Sequence, residues 1–446
     1  MKNRTLFSLA LLIAAQHLFF LMYFPPILEP DSGGYISLAQ TLAANLSFNS
    51  AARLPGYPAF LAIFYHLFGD SQLPVIIFQH ILGIGVYLAI LSLLAERRSK
   101  IVFSILFFCD ILYASYQHAI LSETLFSFLL CMSAIAFNNY KKTGRLPHIL
   151  LCGTLVAAGI FTKPVLKFFP IIVLALLFAE RRPLIKKAAS AAVFLLVPLL
   201  AINLWSWRNY NHDGKFSLLT FESLHYTGRL MNHIEFPKNS ATKEIFLRDM
   251  GKDWIPMNKK AEITFAVIAD LKKEKGLSDT EINTEFQKIY VLSILRHPFI
   301  YAKETGHELF NFFFSAHNLY AKYALQGQLP YSVTEAFEKG DVAGIALKIA
   351  VSMHPFYWML FLLTAFYTAT RWREILTGDN GFTTYGLALI VYISGVTSMA
   401  NEGLANYRCP VQPFMLFCSS LVIAAWLRNK GAAAAELKPR GKKNHD

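Results

Sequence analysis

Six of the 29 acidic residues in this 446-residue chain lie apart from its polar stretches: Glu29, Asp31, Asp70, Asp110, Glu123 and Glu402 sit in or beside long apolar runs. Ionisable groups at such positions are costly and mark candidates for function. Glu29, Asp31, Glu123 and Glu402 fall at the ends of apolar runs, where separate loops can bring them to one cavity. A carboxylate there can take up a proton. Asp70 follows Phe68-Gly69 and reads as a turn cap. Asp110 lies in mid-run, with hydrogen bonding to a neighbouring helix as the competing structural role. Four cations share the edge: Arg53 in RLPGYP, Lys163 in FTKP, Arg208 in WSWRNY and Arg408 in NYRCPVQP. A hydrated lipid phosphate lies at that depth, and Arg or Lys is its natural partner. Snorkelling to the headgroups is the alternative for any one of them, and Arg208 reads as such an interfacial anchor.

These residues need elements to hold them, and composition says which. The chain is 54% hydrophobic and only 16% charged, a balance that points to an all-α multi-span membrane protein. At roughly 20 residues per crossing, ten spans are expected near 5–24, 73–95, 101–118, 121–139, 148–162, 164–180, 188–207, 345–370, 382–400 and 410–427. The segment 57–68 (YPAFLAIFYHLF) is too short to span and reads as an interfacial or re-entrant helix. Ten spans put every basic cluster on one side: Lys2 and Arg4, ERRSK (96–100), KKTGR (141–145), RRPLIKK (181–187), RWR (371–373) and the tail. The positive-inside rule makes that side cytoplasmic and places 24–56, 208–341 and 401–409 outside. The segment 208–341 carries 17 basic and 17 acidic residues, so the net charge of +13 reflects orientation in the bilayer rather than nucleic-acid binding.

Along the chain, residues 1–207 form a membrane block with a long outer loop (24–72). Residues 208–341 form an extracytoplasmic segment, with helices expected at 259–275 and 281–296, the second capped by Ser278 or Asp279. Residues 301–325 are amphipathic and expected on the membrane surface. A C-terminal membrane block covers 342–427, and 428–446 is a disordered basic cytoplasmic tail. The five cysteines show neither disulfide nor metal-ligand spacing. The first apolar run lacks a small-residue cleavage site and is expected to be retained as a span.

EPDSGGYISLAQ followed by RLPGYPAFLAIFYHLFG resembles the first outer loop of the GT-C glycosyltransferases. LSETLFSFLL, FTKP, WRNYNHDGKFSLLT and NYRCPVQP resemble later landmarks of that superfamily in the same order, nearest to its protein mannosyltransferase and aminoarabinose transferase-like branch in bacteria. The resemblance covers about 5–225 and 380–427. It implies a GT-C-like fold and an inverting hexosyl- or pentosyltransferase. Such an enzyme takes its sugar from a polyprenyl-phosphate-linked donor and passes it to a lipid, glycan or protein acceptor outside the bacterial inner or plasma membrane. An acid of the first outer loop then acts as base or holds a divalent metal, and Asp31 occupies that position. Here Pro30 separates Glu29 from Asp31, where the superfamily often has two adjacent acids.

The residue types agree with that chemistry. Inverting transfer needs a carboxylate for the acceptor's proton and cations for the leaving phosphate. No Gly-rich nucleotide loop is present, so no nucleotide cofactor is expected. Asp31 and Glu29 are the catalytic candidates, Asp31 the metal candidate, and Arg53, Lys163 and Arg408 the donor-phosphate candidates. Tyr35, Tyr57, His118, Glu123, Glu402 and Tyr407 are candidates for sugar or acceptor binding. Gly33-Gly34 is read as a sharp turn ahead of a helix over 35–45. Two other classes compete. An O-antigen ligase or polymerase would use Arg229 with His225 or His233. A transporter or flippase would show inverted repeats and mid-membrane charges, and no repeat is visible.

Overall fold

The computed structural model describes residues 4–50, 52–221, 231–238, 240, 242–251, 255, 257–316, 319–324, 340, 353–377, 380–400 and 404–436. Helices in chain order are α1 (Arg4–Tyr23), α2 (Ser32–Asn45), α3 (Gly56–Phe68), α4 (Leu73–Leu93), α5 (Arg97–Cys109), α6 (Ile111–Gln117), α7 (Glu123–Thr143), α8 (Leu146–Thr162), α9 (Phe169–Ala179) and α10 (Leu184–Asp213). They continue with α11 (Lys243–Met250), α12 (Met257–Lys275), α13 (Asp279–Arg296), α14 (Pro298–Phe314), α15 (Leu319–Ala324), α16 (His354–Thr377), α17 (Gly381–Ala400), α18 (Ala405–Arg408) and α19 (Gln412–Glu436). A 3₁₀ turn, Pro164–Phe168, joins α8 to α9. Among the described residues extended pairing is confined to one bridge, Ile27 with Ala119. The chain is an all-helical integral membrane protein, as its composition requires.

Over their described residues the ten expected spans meet helices, but these are not equally long. Five cross a bilayer by length and composition alone: α1, α4, Leu184–His212 of α10, α17 and the run Ala405–Lys430. The expected span 101–118 is broken into α5 and α6, which meet at 62°. Asp110 is the physical cause. Its Oδ1 accepts the amide of Tyr113 and so caps α6 as a side-chain N-cap. The same oxygen accepts from Gln412 Nε2 at 2.8 Å and from the Tyr357 hydroxyl at 3.3 Å. The mid-span acid thus ties three membrane helices together, the structural role weighed for it above. The helices α8 and Pro164–Ala179 are shorter apolar pieces, and residues 345–352 of the expected eighth span lie outside the described residues.

The stretch between α1 and α4 folds back onto the helical bundle as α2 and α3. Helix α3 packs with α2, α4 and the Ile120 tip around Tyr57, Leu61, Tyr65 and Ile76. Gly56 is what lets it seat: a Cβ there would lie 2.5 Å from the Phe161 carbonyl oxygen at the end of α8. Small residues commonly permit such close backbone contact in membrane proteins. The polar segment after α10 has its own core, built from Phe221, Phe246, Leu271, Ile282, Phe286 and Ile289. Helix α13 opens on a full capping box, Ser278 with Glu281. The Glu281 carboxyl is held below its ordinary range by hydrogen bonds from the Ser278 backbone and hydroxyl.

Candidate active site

A cavity of about 410 Å³ opens where the loop after α1, the tips of α7 and α8, the end of α17, α18 and α12 meet. Asp31 stands at its edge, immediately before α2. Ser32 turns the chain there: its amide donates to the Glu29 carbonyl at 2.8 Å, and its hydroxyl accepts from the Glu29 amide at 2.9 Å. Arg53 donates to Asp31 Oδ1 at 2.9 Å, and its guanidinium lies over the Tyr35 ring, 4.2 Å from the centroid. Partial burial opposes the Arg53 charge, but Tyr35 and Asp31 outweigh it and hold the guanidinium above its ordinary pKa. The Asp31 side chain remains 67% exposed, so an acceptor can reach its other oxygen.

The facing wall is a buried ion pair. Lys163 ends α8 in an extended conformation and donates to Glu123 Oε1 at 2.9 Å, with the two side chains 13% and 3% exposed. Burial disfavours the ammonium, and the adjoining Glu123 carboxylate overrides it, so the Lys163 pKa is raised. Tyr407 places its ring 5.2 Å from Lys163 Nζ, and Lys167 lines the same space. Three cations and two carboxylates therefore border the cavity, a net positive surface suited to one anionic group.

Of the residues expected at the site, Asp31, Tyr35, Arg53, Glu123, Lys163 and Tyr407 come together here. Four do not. Glu29 accepts from Lys322 Nζ at 2.8 Å through both oxygens, which turns it to α15 rather than to the cavity. Tyr57 is fully buried and donates to Gln79 at 2.9 Å. His118 is buried against His80 and Phe24. Arg408, 1% exposed, donates to the carbonyls of Phe312 and Phe313 and lies over the Tyr357 ring. It caps the C-terminal end of α14 instead of meeting Arg53 and Lys163. Arg208 binds the Phe48 carbonyl and stacks on Trp205, anchoring the loop between α2 and α3. Glu402 lies outside the described residues, as do His225 and Arg229; His233 packs on His297.

Gly33-Gly34 is not a free turn. Both belong to the first turn of α2 with ordinary helical backbone. Gly34 instead makes room: a Cβ there would meet Arg53 Nε at 3.0 Å. Sequence reading missed Lys167, although it stands one turn past Lys163, and Phe265 of α12, for which the sequence holds no signal. The described residues do not fit a metal cage at Asp31. Arg53 takes one of its oxygens, Lys322 takes Glu29, and no group of three His, Cys, Asp or Glu among the described residues is placed to hold an ion.

Residues 51–207 match the family model for dolichyl-phosphate-mannose-protein mannosyltransferase, a range that includes Arg53, Glu123, Lys163 and Lys167. No curated protein sequence matches. Among solved structures, the Archaeoglobus fulgidus oligosaccharyltransferase tethered to an acceptor peptide with an NVT sequon is similar over 98% of this chain and 51% of its own, at 13% identity and TM-score 0.50. ArnT from Cupriavidus metallidurans bound to undecaprenyl phosphate is similar over 96% and 79%, at 13% identity and TM-score 0.40. The chain thus spans about half the length of the archaeal enzymes it resembles. At such identity the likeness is one of fold alone.

Proposed function

We propose that this protein is a membrane glycosyltransferase of the GT-C type that moves a sugar, with inversion, from a polyprenyl-phosphate donor to an acceptor on the extracytoplasmic side of a bacterial inner or plasma membrane. The observation that carries the proposal is the cavity: an exposed carboxylate, Asp31, held by Arg53, shares with Lys163 and Lys167 a space of about 410 Å³, within the roughly 300–1,000 Å³ of small-molecule sites. The family matched by residues 51–207 is named for a dolichyl-phosphate sugar donor, and all three cations of the cavity, Arg53, Lys163 and Lys167, fall in that range.

In this reading Asp31 accepts the proton of the acceptor's hydroxyl or amide as its oxygen or nitrogen attacks the anomeric carbon. The bond from that carbon to the donor phosphate breaks on the opposite face, and the phosphate leaves with its growing charge directed at Arg53, Lys163 and Lys167. Glu123 keeps Lys163 charged and in place. Tyr35 and Tyr407 border the sugar. The basic clusters of the loops lie on the side opposite the cavity, which supports an outward-facing site. The purified protein, offered a panel of hexosyl and pentosyl polyprenyl phosphates with membrane and periplasmic extracts as acceptors, is expected to label one acceptor class. Release or transfer from none of the donors would contradict the proposal.

A further inference from the structure

His118, expected at the cavity, belongs instead to a chain of three buried imidazoles. His17 Nδ1 lies 2.7 Å from His80 Nδ1, His80 Nε2 lies 3.0 Å from His118 Nδ1, and His118 Nε2 lies 3.0 Å from the Phe24 carbonyl oxygen. The three residues are 2%, 1% and 0% exposed. The geometry is that of a string rather than a metal cluster, because His80 uses a different nitrogen toward each neighbour. The carbonyl at one end sets every proton. His118 Nε2 must donate to Phe24, so with neutral rings His118 Nδ1 accepts from His80 Nε2–H, and His80 Nδ1 accepts from His17 Nδ1–H. His17 Nε2 is left as a bare acceptor with no partner among the described residues.

The chain ends on the segment that leads to Asp31. His118 holds that segment twice: its ring binds the Phe24 carbonyl, and its own carbonyl accepts the Ile27 amide at 3.0 Å. The Ile120 amide returns to the Ile27 carbonyl at 3.1 Å, completing the Ile27–Ala119 bridge. Three residues separate Ile27 from Asp31.

We propose that His17, His80 and His118 are positioning residues: the imidazole chain, anchored in α1 and α4, orients the His118 ring so that it clamps residues 24–27 and thereby places Asp31 at the cavity. The effect on catalysis rests on the function proposed above; the clamp itself does not. Buried hydrogen bonds of this kind are worth enough that losing one speeds local opening about tenfold. The test is hydrogen–deuterium exchange of the full-length protein in nanodiscs, read on the peptide spanning 24–31, together with donor turnover. His118→Leu is expected to raise exchange there about tenfold and to lower kcat with KM for the donor little changed. His118→Gln, whose amide N–H can reach the Phe24 carbonyl, should restore both. His80→Phe keeps an aromatic ring and removes both nitrogens, whose hydrogen bonds go to His17 and His118 and not to the segment, so a raised exchange in that variant reads the relay and serves if His118→Leu does not accumulate. Unchanged exchange of 24–31 in His80→Phe overturns the proposal, whatever the turnover shows. Raised exchange with unchanged turnover leaves the clamp standing and removes its catalytic role.

Discussion

Among single residues, depth decides which ion pairs matter for stability. Arg53 and Asp31 form a partly exposed pair, 26% and 67%, and such pairs contribute about 0–1 kcal/mol. Lys163 and Glu123 are enclosed, and removing one partner of a buried pair costs about 3–5 kcal/mol because the other charge is stranded. Arg53→Ala should therefore unfold within a degree or two of the parent in detergent while losing about 10²–10³ in turnover. Lys163→Met should unfold far earlier, and the double variant Lys163→Met/Glu123→Gln should recover much of that loss without recovering transfer. Thermal unfolding followed alongside turnover separates the two sites, and a double variant no more stable than Lys163→Met would contradict the buried-pair argument. The same depth explains where sequence reading erred. Arg53, Lys163 and Arg408 look alike in sequence, each an isolated cation at a span end. Only the packing of α14 shows that Arg408 is committed to the Phe312 and Phe313 carbonyls. Glu29 was equally open to misreading, since its partner Lys322 is 293 residues away.

Elements were more legible than their ends. Apolar runs fixed the helices, Ser278 fixed the start of α13, and the short apolar stretch after Pro55 is the non-spanning helix α3. The break at Asp110 and the helical state of Gly33-Gly34 were not legible, because both depend on partners brought in by other helices. Two glycines give a test of how elements set the site. At Gly34 an added Cβ meets the mobile end of Arg53 at 3.0 Å, which can swing away. Gly34→Ala should fold normally and weaken donor binding by displacing Arg53 from Asp31. At Gly56 the obstruction is backbone, the Phe161 carbonyl oxygen at 2.5 Å. Overpacking of that kind costs about 1–3 kcal/mol, so Gly56→Ala should lower the unfolding temperature and activity together. Equal unfolding temperatures for the two variants would show that α3 does not seat on α8 as described.

At the scale of the whole molecule, charge asymmetry gives the expected orientation, and the polar segment after α10 remains its least legible part. That segment's core of Phe221, Phe246 and Phe286 and its contribution of Phe265 to the cavity had no counterpart in any motif. Orientation is open to direct labelling: a membrane-impermeant thiol reagent applied from outside should modify Ser240→Cys and not Thr143→Cys in intact cells. Modification of the second would invert the topology and move the cavity to the cytoplasm. The central claim is that sugar transfer occurs in this cavity with Asp31 taking the acceptor's proton. The most direct test is transfer from a polyprenyl-phosphate sugar by purified Asp31→Asn, which keeps the shape of the side chain and removes its charge, beside Glu29→Gln, whose parent carboxylate is turned to Lys322. Donor binding should persist in both, Asp31→Asn should lose about 10²–10⁴ in turnover, and Glu29→Gln should lose much less. An Asp31→Asn protein that binds donor and turns it over like the parent would contradict the account.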